Sequence, residues 1–150
     1  MKNIKIVFKK ISLLAFASSI FLLAGCSKGG DSPAPTPTPP ATEADIVFRV
    51  DIAGTEVNYA AVFPVVGTSI VMNANITSTL PKDGVTVAVS VKKKSDNTVV
   101  FTTNLSSSTA NNPITVTGLT GGTLCVVTII VTSKSKSSNT STKTFELAAK

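Results

Sequence analysis

The 150-residue chain carries two cysteines, Cys26 and Cys125, eight acidic residues and no histidine. Nucleophile–base catalysis needs a hydroxyl or thiol, a base and a group that orients the base. With no histidine, the usual base is missing. Cys125 falls in the alternating run Cys125, Val127, Ile129, Val131. That pattern predicts an inward-facing thiol on a central strand, an inert apolar filler. Paired carboxylates are the next possibility. Asp45, Asp51, Glu56, Asp83, Asp96 and Glu146 are scattered over turns and strand ends, and no spacing sets two of them as an acid/base pair. His and Cys clusters for a transition metal are lacking, as is an Asp-x-Asp-x-Asp-Gly calcium loop. A calcium site assembled from separate loops stays open. The expected site inventory therefore has no catalytic residue and no metal ligand, and the ligand-binding residues are unknown.

Other residue types offer weaker chemistry. Lys92, Lys93 and Lys94 form the only charge run, read as a solvated hairpin tip, with an anionic glycan or lipid headgroup as the sharper alternative. Tyr59 is the one aromatic placed to stack on a sugar, and one ring makes no platform. Asn73, Asn75, Asn104 and Asn111 could hydrogen-bond a ligand, although asparagine is ordinary on outer faces and turns.

Cys26 stands in a different context. Lys2, Lys5, Lys9 and Lys10 precede an apolar run from Ile11 to Leu23, which ends in Ala24 and Gly25. A basic start, an apolar middle and small residues at the end make a secretory signal. The run is about 13 residues, short of the roughly 20 that span a bilayer as a helix. An ordinary cleavage site wants small residues at −1 and −3, and Leu23 is too large for −3.

Leu23-Ala24-Gly25-Cys26 resembles the lipobox of bacterial lipoproteins. The resemblance implies that diacylglycerol alkylates the Cys26 thiol, that the bond before Cys26 is cut, and that the new amine is acylated. A thiolate attacks carbon at neutral pH where a serine hydroxyl does not. Two or three acyl chains anchor stably, since each buried CH₂ contributes about 0.8 kcal/mol and one chain alone is marginal. Cys26 is then neither a disulfide partner nor a metal ligand, and the covalent lipid is the only group expected in place of a cofactor. Loss of residues 1–25 removes four lysines, leaving ten basic against eight acidic residues. That balance is too even to imply a nucleic-acid partner.

Residues 26–44 form a tether. Pro33, Pro35, Pro37, Pro39 and Pro40 alternate with small residues, a composition that favours extended polyproline II. At about 3.1 Å per residue it reaches up to roughly 55 Å from the lipid. The start Cys26-Ser-Lys-Gly-Gly-Asp31 is similar to lipoproteins of the Bacteroidota group. Ser27 directly after the cysteine implies the outer membrane, with periplasmic or surface display open.

Residues 45–150 alternate with period two, and no helical stripe appears. The inward sets are Ile46/Phe48/Val50/Ile52, Ile70/Met72/Ala74/Ile76, Val85/Val87/Val89/Val91, Val99/Phe101, Ile114/Val116, Cys125/Val127/Ile129/Val131 and Phe145/Leu147. Turn residues separate them, among them Pro81-Lys-Asp-Gly84, Gly118 and Gly121-Gly122. Val57, Tyr59 and Ala61 could form an extra edge strand. About seven short strands in roughly 105 residues predict an all-β, two-sheet sandwich.

The stretch from Ile114 to Ile129 resembles the E–F region of fibronectin type III domains, with Leu119 before a glycine turn and Thr123-Leu-Cys125-Val-Val127 after it. Cys125 stands where that family has its corner tyrosine, and the tryptophan of the second strand is absent. The wider immunoglobulin-like class is the fold expectation. The functional expectation is a non-catalytic, membrane-anchored lipoprotein presenting one immunoglobulin/fibronectin III-like module to an envelope or extracellular protein. The alternatives are a glycan-binding accessory of a polysaccharide-uptake system and a fibre or adhesion subunit.

Overall fold

The structure, a computed structural model, describes residues 42–150. The expected signal segment, the expected lipobox with Cys26 and most of the expected tether lie outside the described residues. The described part holds strands β1 (Phe48–Ile52), β2 (Thr55–Glu56), β3 (Val62–Val65), β4 (Ser69–Ile76), β5 (Val85–Lys93), β6 (Val99–Ser107), β7 (Asn111–Thr117), β8 (Leu124–Ser133) and β9 (Thr140–Ala149). No helix occurs among the described residues.

The strands form a four-stranded sheet of order β2-β1-β4-β7 and a five-stranded sheet of order β3-β9-β8-β5-β6. Each neighbouring pair is antiparallel except β3 with β9. Period-two alternation explains the layering. Phe48, Val50 and Ile52 from β1 and Met72, Ala74 and Ile76 from β4 supply one inner face. The four odd-numbered valines of β5 (85 to 91), with Cys125, Val127, Ile129, Val131, Phe145 and Leu147, supply the other. A one-residue slip in any of these strands would turn its apolar set to water, so burial sets the register. The domain is all-β, and its two sheets stack as a sandwich around one core cluster.

Local chemistry sets the turns. Ala53 and Gly54 both have positive φ (51° and 80°), the backbone that a two-residue hairpin requires between β1 and β2. Gly84 has φ +77°, and a Cβ there would lie 2.2 Å from the Ser107 carbonyl oxygen. Only glycine fits where Pro81–Gly84 turns the chain into β5 against the end of β6.

The structure corrects the sequence reading in three places. Nine strands occur among the described residues, against about seven expected. Val57, Tyr59 and Ala61 do not form an edge strand; the chain instead makes the two-residue β2, turns, and then crosses to the other sheet as β3. Proline at 64 and the short apolar run gave β3 no alternation to read. Val99 does not face the core. It is 54% exposed, because a bulge at Val91/Lys92 pairs Lys92 with Val99 and leaves Val100 as the extra residue of β6.

Candidate binding face

The outer surface of the four-stranded sheet gathers residues that the sequence scatters. β1 turns Arg49 and Asp51 outward, β4 turns out Asn73 and Asn75, and β7 turns out Asn111. Antiparallel register sets Arg49 opposite Asn75, Asp51 opposite Asn73, and Asn75 opposite Asn111. Glu56 on β2 lies opposite Asp51. Alternation and register together thus place three amides, two carboxylates and a guanidinium on one face.

The contacts within the face are polar. Arg49 Nε lies 3.2 Å from Asp51 Oδ1 and donates to Oδ2 at 3.2 Å. The Asn75 amide reaches the same Oδ2 at 3.5 Å, and Asn73 Nδ2 donates to Asn111 Oδ1. Asp51 is largely covered, with its side chain 12% exposed, whereas that of Arg49 is 47% exposed. Asn73 Oδ1 is buried without a hydrogen-bond partner, whereas Asp51 Oδ1, also buried, is engaged by the Arg49 ion pair. Of the Arg49–Asp51 pair, the group more open to solvent is the Arg49 guanidinium, a hydrogen-bond donor. The positive charge of Arg49 against Asp51 opposes a cation at the same spot.

The other carboxylates are held elsewhere. Asp96 caps its own turn by accepting from Thr98 N at 2.9 Å, and this bond holds its carboxyl below the usual range. Glu146 on β9 pairs with Lys94 at 2.6 Å. Asp45 and Asp83 are exposed. Of Asp45, Asp51, Glu56, Asp83, Asp96 and Glu146, only Asp51 and Glu56 are partners of one another across strands, and Arg49 is the cation beside Asp51. No cluster of three or more His, Cys, Asp or Glu occurs among the described residues.

The lysine run ends β5 and enters the β5–β6 turn. Lys92 and Lys94 are exposed and Lys93 half-buried, with Lys94 spent on Glu146. Asn104 lies on β6 in the other sheet, apart from Asn73, Asn75 and Asn111. Tyr59 is not a sugar platform. Its hydroxyl accepts from Val50 N at 2.9 Å, its ring meets Phe145 edge-on at 6.4 Å, and Lys143 Nζ sits 5.0 Å from the ring centre. Burial pushes its phenol above the ordinary value of 10.0. Cys125 is 1% exposed, and burial likewise raises its thiol above 9.0. The inward filler expected from the sequence is what the structure holds.

Arg49 is the member of the face that sequence reasoning missed. Its signal was available: Arg49 and Asp51 are both outward positions of an alternating strand, two residues apart. The pairing with β4, which assembles the face, is a long-range contact.

At the start of the described chain, Glu43 accepts from Ser135 Oγ at 2.5 Å and from Asn139 Nδ2 at 2.6 Å. Asn139 Nδ2 also donates to the Ala44 carbonyl, and its Oδ1 accepts from Ile46 N. Asn139 is buried between the β8–β9 turn and the incoming chain. These bonds, with that from Ser135 largest, hold the Glu43 carboxyl below its ordinary value of 4.5. Glu43 and Ala44, ahead of β1, are therefore fastened at the β8–β9 end of the sandwich.

No helix among the described residues is long and apolar enough to cross a membrane. No family model matches the chain, and no curated protein is significantly similar to it in sequence.

Proposed function

We propose that the protein is a non-catalytic lipoprotein that presents one immunoglobulin-like, fibronectin III-like module for binding. The observation that carries the binding role is the outer face of the four-stranded sheet, where Arg49, Asp51, Asn73, Asn75 and Asn111 converge as one polar patch with the Arg49 side chain 47% exposed. Flat polar faces on rigid sheets position hydrogen-bonding groups at low entropic cost. The anchoring role rests on Leu23-Ala24-Gly25-Cys26, with the covalent lipid on Cys26 holding the chain at the outer membrane. The immunoglobulin-like type is supported by the sheet orders. First, second and fifth long strands (β1, β4, β7) share one sheet, and third, sixth and seventh (β5, β8, β9) share the other. The partner would be an envelope or extracellular protein whose surface offers acceptors to Arg49.

A photo-crosslinking residue placed at Asn75 in the membrane-bound chain tests this role. The expected result is a discrete adduct that a crosslinker at Thr142, on the other sheet, does not give. Equal labelling from both positions, or none from Asn75, rejects the binding face.

Amides, a carboxylate and a guanidinium are also the groups that bind sugar hydroxyls, which favours a second reading as a glycan-binding accessory. Against it stands the lack of an exposed stacking ring among the described residues, since Tyr59 is packed against Phe145. A glycan array probed with the wild type and with Asp51→Ala separates the two. Signals lost in the variant support the glycan; a blank array removes it.

A further inference from the structure

Sheet edges are open rows of backbone donors and acceptors, and proteins blunt them with short strands, proline, bulges or charge. Three of the four edges among the described residues are blunted. β2 has two residues. β3 has four, including Pro64. β7 carries Pro113, the third of its seven residues, which has no N–H to offer. The fourth edge is β6. It pairs only with β5 and runs nine residues, Val99-Val-Phe-Thr-Thr-Asn-Leu-Ser-Ser107. It has no proline, no glycine and no charge, and its one bulge lies at its start. No Asp, Glu, Lys or Arg occurs anywhere between Asp96 and Lys134, so the neighbouring β7 edge is uncharged too.

The pattern of β6 is self-complementary about Thr103. An antiparallel pair related by a two-fold axis at Thr103 sets Phe101 opposite Leu105 of the second copy, and Thr102 opposite its Asn104. Phe101, Thr103 and Leu105 face the core side, opposite Val91, Val89 and Val87 of β5. Phe101 and Leu105 are half-buried and pack on the core, so pairing would cover apolar surface with apolar surface. Thr102 and Asn104 are exposed on the outer side, where they meet as polar partners. No like charges oppose one another. We propose that β6 is a homodimerisation edge. Two copies join antiparallel through Val99–Ser107, and their five-stranded sheets become one continuous ten-stranded sheet. A two-fold contact of this kind is closed and stops at the dimer. It leaves the polar face of the four-stranded sheet uncovered in both copies, so it stands independently of the binding reading.

The test is co-purification of two differently tagged full-length copies expressed in one cell and extracted in excess detergent. Wild-type copies are expected to recover each other. Thr102→Lys with Asn104→Lys in both copies sets lysine against lysine across the axis, and recovery should fall about fivefold or more. Pairing that variant with a copy carrying Thr102→Glu and Asn104→Glu should restore it. Resistance of Cys125 to a thiol reagent verifies that each variant is folded. Failure of wild-type copies to co-purify overturns the proposal. So does recovery unchanged by the lysines, and so does a ladder of higher oligomers, which a closed pair forbids.

Discussion

The hydroxyl of Tyr59 accepts the backbone N–H of Val50 at 2.9 Å, and so continues by side chain a ladder that β2 leaves after two residues. Val57 N already donates to the Val50 carbonyl, so Tyr59 completes the second half of the pair. The ring then lies edge-on to Phe145, joining the β1 edge to β9 of the opposite sheet. Tyr59→Phe keeps that packing and leaves the Val50 N–H without its partner. A loss of about 1–2 kcal/mol is expected, read as a lower Tm together with faster exchange of the Val50 amide. An unchanged Val50 exchange rate would show that the hydroxyl does not hold the strand.

Cys125 is enclosed by the valine-rich inner face of the five-stranded sheet. Cys125→Ser puts a hydroxyl where no water reaches, and should cost about 2 kcal/mol. The native thiol, raised by burial, should react with an aromatic disulfide only at the rate of global unfolding. Reaction in the folded protein at the rate of a free thiol would refute that placement.

Gly84 and Gly122 share a left-handed backbone but not their surroundings. A Cβ at Gly84 meets the Ser107 carbonyl at 2.2 Å, whereas one at Gly122 meets nothing within 4 Å. Gly84→Ala is expected to cost about 3 kcal/mol or more, clash added to strain, and Gly122→Ala only about 1 kcal/mol. Denaturant unfolding of the two variants in parallel reads the difference, and equal losses would contradict it.

The Glu43 clasp should depend on pH. Its folded-state pKa is depressed below 4.5, chiefly by the Ser135 hydrogen bond, so the stabilisation is complete above the unfolded value. It is lost as the pH falls through the folded value. Between neutrality and about pH 5 the Asn139 side-chain amide resonances should hold steady, then shift as the pH falls below the ordinary carboxylate range. Glu43→Gln should abolish that shift while leaving the fold intact.

Much of the sandwich was legible in the chain. The alternating runs at residues 46–52, 85–91 and 125–131 read as inward faces because one side of each strand must be dry. The path of residues 53–67 was not legible. Its segments are two and four residues long, too short for a period, and the parallel pairing of β3 with β9 depends on partners some eighty residues away. Val99 read as inward because a bulge cannot be seen in a list of apolar positions. The candidate face was half visible. Asn73, Asn75 and Asn111 stood out as possible hydrogen-bonding groups, but nothing local shows that Asp51 and Arg49 join them. Only the β1–β4 register does that.

The central claim is a lipid-anchored binding module, and the mature N-terminus tests it most directly. Mass spectrometry of the protein recovered from cell membranes should find a chain that begins at Cys26 and carries diacylglycerol and an added acyl group. Cys26→Ala should remain uncleaved at that bond and lose the lipid mass. A wild-type chain that begins elsewhere, or that begins at Cys26 without lipid, would contradict the account.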